Sequence, residues 1–344
     1  VRLLINNIKR IKLRFANLSI GFVDRERALK QVFEWGERGT GFPVVVFGPE
    51  GCGKTSWLLQ TVEILKGLGY GVIYFNPMRK QFDADVGVED LKKRALEIVR
   101  QTSSEHILAK FIWSVIDFVN DTLKLGKKKL AIIVDDAFQY LERREAAGFV
   151  KGMLELIEHP DTSYEKIVAI AATSEGLSRY EIGRHLWAEL MPMWNMSREG
   201  FEKLYDEVPS PKPSFEDVWR FTGGNPRMLS MLYQAKWNVD KVIKGIIDRK
   251  KLKTFIASLS SDESRWVLEA VEDPDTLLTR ERIPLMNKLV ELNLIVDTLP
   301  SRKEYLWVDQ PPPEKDLELG IGMDMAWQTP LHREAIKMTL KSSK

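Results

Sequence analysis

The run Gly48-Pro49-Glu50-Gly51-Cys52-Gly53-Lys54-Thr55 constrains this chain more than any other feature, because it fits G-x-x-x-x-G-K-[ST] at every fixed position. It follows the β-branched run Val44 to Phe47 and precedes an amphipathic stretch starting near Ser56, so strand, loop and helix are expected in that order. Glycines let successive N–H groups turn inward around an anion, and the helix start adds the positive end of its dipole. On this reading Gly48, Pro49, Glu50, Gly51, Cys52, Gly53, Lys54, Thr55 and Ser56 cradle the phosphates of ATP or ADP. Lys54 would neutralise the β- and γ-phosphates, and the Thr55 hydroxyl would ligate Mg2+. A chance glycine-rich turn is the plain alternative, and the agreement of all three elements weighs against it. Cys52, the chain's 1 cysteine, occupies a free position, where filling a tight turn is favoured over a redox role.

Around this loop, short apolar runs alternate with amphipathic stretches from Pro43 to about Trp194, which predicts a parallel sheet with helices on both faces. Strands are expected at Val44 to Phe47, Gly71 to Phe75, Leu130 to Val134 and Lys166 to Ala172, with a short one near Glu189 to Pro192. Helices are expected at Ser56 to Lys66, Val88 to Gln101, Ser104 to Leu125 and Glu145 to Glu158. The strand signal then stops. Helical patterns follow over Ser197 to Glu207, Ser214 to Phe221, Pro226 to Trp237 and Val239 to Leu259. Two further helices, Asp262 to Val271 and Ile283 to Leu292, precede strands at Leu294 to Asp297 and Tyr305 to Asp309 around a Pro-Ser-Arg-Lys turn, the outline of a winged helix. The expected division is an α/β P-loop domain over 1–195, a helical lid over 196–258 and a winged helix over 259–344.

A phosphate loop needs a second acidic site to handle a metal ion. The strand Leu130 to Val134 ends in Asp135-Asp136, where Asp135 would hold the Mg2+ shell and Asp136 would polarise the attacking water. Asp136 as a cap for the following turn is the alternative. The next core strand ends in Thr173-Ser174, whose hydroxyls could orient that water or touch the γ-phosphate, though any strand needs a polar end. Downstream, Gly223-Gly224-Asn225-Pro226-Arg227 reads as a helix start with Asn225 as N-cap and Pro226 in the first turn. A cation at a helix start opposes the dipole, so Arg227 needs a reason, and triphosphate oxygens across a cleft supply one.

In this order the motifs resemble the archaeal ATPase family of the signal-transduction ATPases with numerous domains, relatives of AAA+ proteins and of origin-recognition ATPases. Phe22-Val23-Asp24-Arg25-Glu26 looks like that family's F-x-x-R-E motif, which implies that Phe22 and Arg25 lie near the adenine. The resemblance also makes Thr173-Ser174 the first sensor and Gly223 to Arg227 the second. Typical AAA+ enzymes carry Glu where this chain has Asp136, which implies slow turnover. An arginine finger has no clear counterpart; Arg179 and Arg184 are the nearest candidates.

Net charge of +2 over 344 residues names no polyanionic partner. DNA contact would rest on Asn287, Lys288, Arg302 and Lys303 of the winged helix, or on the clusters Lys9 to Arg14, Lys127 to Lys129 and Arg249 to Lys253. Acidic residues slightly outnumber basic ones from Lys251 onward, which argues against a basic footprint there. One cysteine, no signal-peptide core and no membrane-length apolar run predict a cytoplasmic protein. The four histidines lack ligand spacing, so no structural zinc is expected. The functional expectation is a Mg-dependent ATPase that acts as a conformational switch on DNA, a protein partner or a second copy. The alternative is a nucleotide-holding regulatory scaffold with little hydrolysis; a small-molecule kinase is disfavoured by the acidic pair.

Overall fold

The computed structural model describes residues 9–77, 81–85, 116–124, 126, 128–136, 138, 141–174 and 178–342. The helix expected at Val88 to Gln101, and the part of the next one carrying Phe111 and Trp113, lie outside the described residues. The chain forms two compact units, one of residues 1–11, 26–47 and 54–191, the other of residues 12–25, 48–53 and 192–344.

The first unit is built on a six-stranded sheet in the order β5-β4-β6-β7-β3-β8. Its strands are β3 (Val44–Phe47), β4 (Gly71–Asn76), β5 (Gln81–Asp85), β6 (Lys129–Asp135), β7 (Lys166–Ala172) and β8 (Glu189–Pro192). Strands β4, β6, β7 and β3 run parallel, and β5 joins β4 antiparallel. Every described residue of β3 and β4 is buried, which is why these strands read as unbroken apolar runs rather than as alternating ones. Alternate side chains of the central strands, among them Val45, Ile73, Ile132 and Ala169, pack with Phe118, Val119, Phe149 and Met153 from the helix over 116–124 and from Arg143–Glu158. The opposite side chains are buried as well, and helices α1 (Glu26–Arg38) and α2 (Lys54–Gly67) touch each other, β7 and β6. Helices therefore cover both faces, as expected.

The second unit carries the antiparallel hairpin β1 (Lys12–Phe15) and β2 (Leu18–Gly21), which periodicity did not reveal. Its helices are Arg198–Asp206, Phe215–Thr222, Pro226–Gln234, Val239–Arg249, Leu252–Ala257, Ser261–Glu272, Ile283–Glu291 and Pro330–Ser342. The single helix expected over Val239 to Leu259 is broken because Lys251 takes a left-handed φ of 51° and Lys250 donates through Nζ to the Leu292 carbonyl at 2.8 Å. The wing also differs from expectation. β9 (Ile295–Val296) pairs with β10 (Ala326–Trp327), not with residues 305–309. Glu304–Leu306 is a 3-10 turn instead, since Trp307 is fully buried with Trp194 and Val296, and the Val308 amide donates to the Pro192 carbonyl at 3.0 Å. No helix among the described residues is long and apolar enough to cross a membrane.

Trp57 of α2 tests the packing of the first unit. It is fully buried, meets Trp35 edge-on with centroids 6.3 Å apart, and its indole N–H has no partner among the described residues. Trp57→Ala is expected to lower unfolding free energy by about 3–5 kcal/mol in urea titrations. Trp57→Phe should lose much less, because it also removes an unsatisfied donor whose burial costs roughly 1–3 kcal/mol. Equal losses for both variants would contradict this packing.

Candidate functional site

In the first unit, β6 ends at Asp135 and α2 begins at Lys54, and both side chains are buried. The register of β4 on β6 sets Phe75 beside Val134, so Asn76 arrives beside Asp135. Asp135 Oδ2 accepts from Asn76 Nδ2 at 2.9 Å and from the Tyr74 hydroxyl at 3.0 Å. Its Oδ1 is buried with no hydrogen-bond partner among the described residues. Burial and then the neighbouring Asp136 push the Asp135 pKa above the usual carboxylate range, against hydrogen bonds from Thr55, Tyr74 and Asn76. The Thr55 hydroxyl thus belongs to the immediate surroundings of this carboxylate.

Asp136 takes a left-handed φ of 51°, its amide donating to the Ala172 carbonyl at 3.0 Å. Ser174 Oγ donates to Asp136 Oδ1 at 3.2 Å, so the polar end of β7 and the acidic end of β6 do meet. The sheet order explains this: β7 lies between β3 and β6, and the amide of the buried Thr173 donates to the Val46 carbonyl at 2.9 Å. Ser56 lies in the first turn of α2. Tyr74 and Asn76 were not anticipated, although a polar Asn closing the apolar run of β4 was a signal that could have found them.

In the second unit, Gly48, Gly51 and Gly53 all have positive φ, of 148°, 80° and 107°. A side chain at Gly51 would collide with Arg227 Cβ, and one at Gly48 with the Met193 carbonyl. Asn225 caps its helix by accepting from the Met228 amide at 3.1 Å, and its Nδ2 donates to the Glu50 carbonyl at 3.0 Å. The Arg227 amide, just after Pro226 at the helix start, donates to the Gly51 carbonyl at 3.3 Å. The Arg227 side chain is exposed. The Glu50 amide donates to Gln328 Oε1 at 2.9 Å, a partner that nothing in the sequence signalled. Cys52 is fully buried, with Sγ 3.6 Å from the Met193 carbonyl, as the space-filling reading requires. Phe22 is buried. Arg25 is buried too, and its guanidinium bonds to Asp309, Cys52 and Trp194.

Other expected residues fare differently. Arg179 is buried with its guanidinium over the Phe47 ring, whereas Arg184 is exposed and pairs with Glu181 at 3.0 Å. Lys288 pairs with Glu263 at 2.8 Å, and Arg302 donates to the carbonyls of Pro300, Pro313, Glu314 and Gly322.

The profile of a family described as an ATPase domain predominantly from Archaea matches residues 22–232, more than half of the chain. The chain belongs to this ATPase family. The matched span contains the phosphate loop, Asp135, Asp136, Thr173, Ser174 and Arg227. No curated protein matches the chain. Among solved structures it is similar to Cdc6p from Pyrobaculum aerophilum at 14% identity, covering 97% of this chain and 99% of that one, with a TM-score of 0.41. The ADP form of the Aeropyrum pernix ORC2 protein is similar at 12% identity over 99% and 98% of the two chains, TM-score 0.41. AMPPCP-bound DnaA from Aquifex aeolicus is similar at 16% identity over 78% of each, TM-score 0.38. Likeness of this degree decides neither activity nor partner.

A divalent cation fits the oxygens that the first unit presents at the end of β6 and the start of α2. Mg2+ takes oxygen ligands and is usually held by one or two protein groups plus phosphates and water, and Asp135 Oδ1 with the Thr55 hydroxyl offers that set. Among the described residues no cluster of His, Cys, Asp and Glu could hold a metal unaided.

The raised Asp135 pKa has a definite pH consequence. The folded, unliganded protein binds this proton more tightly than the unfolded chain, so the contribution to stability is full below the unfolded Asp value, about 3.9, and is lost as pH rises through the folded value. Asp135→Asn should therefore raise the melting temperature of unliganded protein at pH 7, with the gain shrinking toward pH 4. A destabilised Asn variant at pH 7 would refute the buried-charge assignment.

Proposed function

We propose that the chain binds Mg-ATP, hydrolyses it slowly and uses the nucleotide state as a conformational switch. The observation that carries this reading is the buried carboxyl of Asp135, whose Oδ1 has no hydrogen-bond partner among the described residues and whose surroundings include the Thr55 hydroxyl, at the start of the helix that follows a phosphate loop. A carboxylate kept dry with an open oxygen is costly unless a cation completes it.

The roles follow from the side chains. Lys54 supplies positive charge to the β- and γ-phosphates, while the loop amides and the α2 start supply dipoles. Thr55 and Asp135 would hold Mg2+, which when bound draws charge off the phosphate oxygens. Asp136, oriented by the Ser174 hydroxyl, accepts the proton of the attacking water. Its carboxylate reaches one methylene less far than a glutamate, which supports low turnover. Thr173 and Arg227 contact the γ-phosphoryl group. Arg227 has a full anionic partner with ATP and a lesser one with ADP, and the helix it opens, Pro226–Gln234, leads into the C-terminal helices that carry the signal. The adenine is left to Phe22 and its neighbours.

For DNA as the partner, support comes from the exposed Lys241, Lys244, Arg249, Lys251 and Lys253 on consecutive helices, more than from Lys288 and Arg302, whose donors are engaged. Contacts of this kind are to phosphates and strongly salt-dependent. In a fluorescence titration with duplex DNA, affinity should fall steeply from 50 to about 200 mM salt, and no binding at low salt would remove DNA from the account.

Hydrolysis is tested by phosphate release. Turnover is expected below the enzyme median of about 10 per second. Lys54→Ala should abolish binding, and Asp136→Ala should lower turnover about 100-fold or more with ATP affinity within a few-fold. Undiminished turnover in Asp136→Ala would reject its role.

A further inference from the structure

The phosphate loop is braced through its carbonyl oxygens. The carbonyl of Glu50 accepts from Asn225 Nδ2 at 3.0 Å, that of Gly51 from the Arg227 amide at 3.3 Å, and that of Cys52 from Arg25 Nη2 at 2.6 Å. In a trans peptide the C=O and the following N–H point in opposite directions. Three successive carbonyls turned toward their donors therefore turn the amides of Gly51, Cys52 and Gly53 away from them. The Cys52 amide closes a turn on the Pro49 carbonyl at 3.3 Å, and the Gly51 and Gly53 amides have no partner among the described residues. Backbone amides left without a partner in a turn are the donors from which an anion-binding concavity is made, and here these are the amides of Gly51 and Gly53.

Arg25 is the strongest of the three donors. It is 4% exposed, and Nη1 bonds to Asp309 Oδ2 at 2.7 Å, while Nη2 is shared between the carbonyls of Cys52 and of Trp194, the latter at 3.0 Å. Asp309 is itself buried. Asp24 and Arg25 both take left-handed φ values, 60° and 65°, a conformation unfavourable for two successive non-glycine residues. Backbone strain of this kind persists where the surroundings over-determine a geometry. The F-x-x-R-E resemblance implied that Arg25 lies near the adenine; its guanidinium donors meet the Cys52 and Trp194 carbonyls and Asp309.

We propose that Arg25, oriented by Asp309, is a positioning residue for polyphosphate: by holding the Cys52 carbonyl outward it fixes the Gly53 amide on the side of the loop that receives the anion. This rests on the ATP-binding reading above. It separates polyphosphate affinity from nucleoside affinity, which a general structural role does not do. The guanidinium is suited to the task because it can hold a carboxylate and two carbonyls at once in a rigid plane.

The test pairs Arg25→Met with Asp309→Leu, so that no charge is left buried alone. Competition against a fluorescent ATP analogue is read with ATP, inorganic tripolyphosphate and adenosine, alongside the melting temperature. Expected are ATP and tripolyphosphate affinities about tenfold weaker, equivalent to one lost hydrogen-bonded interaction, with adenosine affinity unchanged. Should the double variant not fold, Arg25→Lys carries the same expectation, since one ammonium cannot reproduce the planar fork. Unchanged polyphosphate affinity, or equal losses for adenosine and tripolyphosphate, would overturn the role of Arg25 while leaving ATP binding intact. Wild-type protein that binds none of the ligands would overturn the ATP reading and this inference together.

Discussion

The first unit is organised around one unfavourable choice, a carboxylate driven into the dry tip of a sheet. Asp135 is almost fully buried, its Oδ2 is satisfied by Tyr74 and Asn76, and its Oδ1 has no hydrogen-bond partner among the described residues. The neighbouring Asp136 adds repulsion to the cost of desolvation. Nothing in the folding of the sheet calls for this, because an apolar residue at the end of β6 would pack at lower cost. On the proposed function, the arrangement is stored affinity for a cation.

The loop in the second unit follows a complementary logic. Its backbone cannot form regular structure, so its carbonyls are satisfied by side-chain and amide donors from Arg25, Asn225 and Arg227, and its Glu50 amide by Gln328. These partners come from far-separated parts of the chain, from residue 25 to residue 328. Loop geometry therefore depends on the tertiary fold of that unit as well as on its glycines. The left-handed φ of Gly51 and its contact with Arg227 explain why the glycine there is needed for close approach as well as for the turn.

Much of this was legible in the sequence because it is local. Strands buried on both faces are continuous apolar runs, so β3, β6 and β7 were read to within about a residue at each end, within the ordinary uncertainty of element limits. The cap at Asn225 and the loop glycines are local chemistry too. That the polar tip of β7 falls beside the acidic tip of β6 was expected, and the register of the two strands brings Ser174 to Asp136; the full strand order, with β5 and β8 at the edges, depends on crossovers that no local pattern registers. The partner of β9 was misread because residues 305–309 carry the apolar pattern of a strand, while their burial is claimed by Trp307 packing with Trp194. Arg25 and Gln328 act through bonds to residues distant in sequence, which no spacing rule can register.

Magnesium linkage of nucleotide binding is the most direct measurement of the central claim. Calorimetric titration of ATP into the wild-type chain, with and without Mg2+, should show affinity at least about tenfold tighter with the metal, a difference of roughly 1.4 kcal/mol, and that difference should vanish in Asp135→Asn. Binding indifferent to Mg2+, or no binding of ATP at all, would contradict the account.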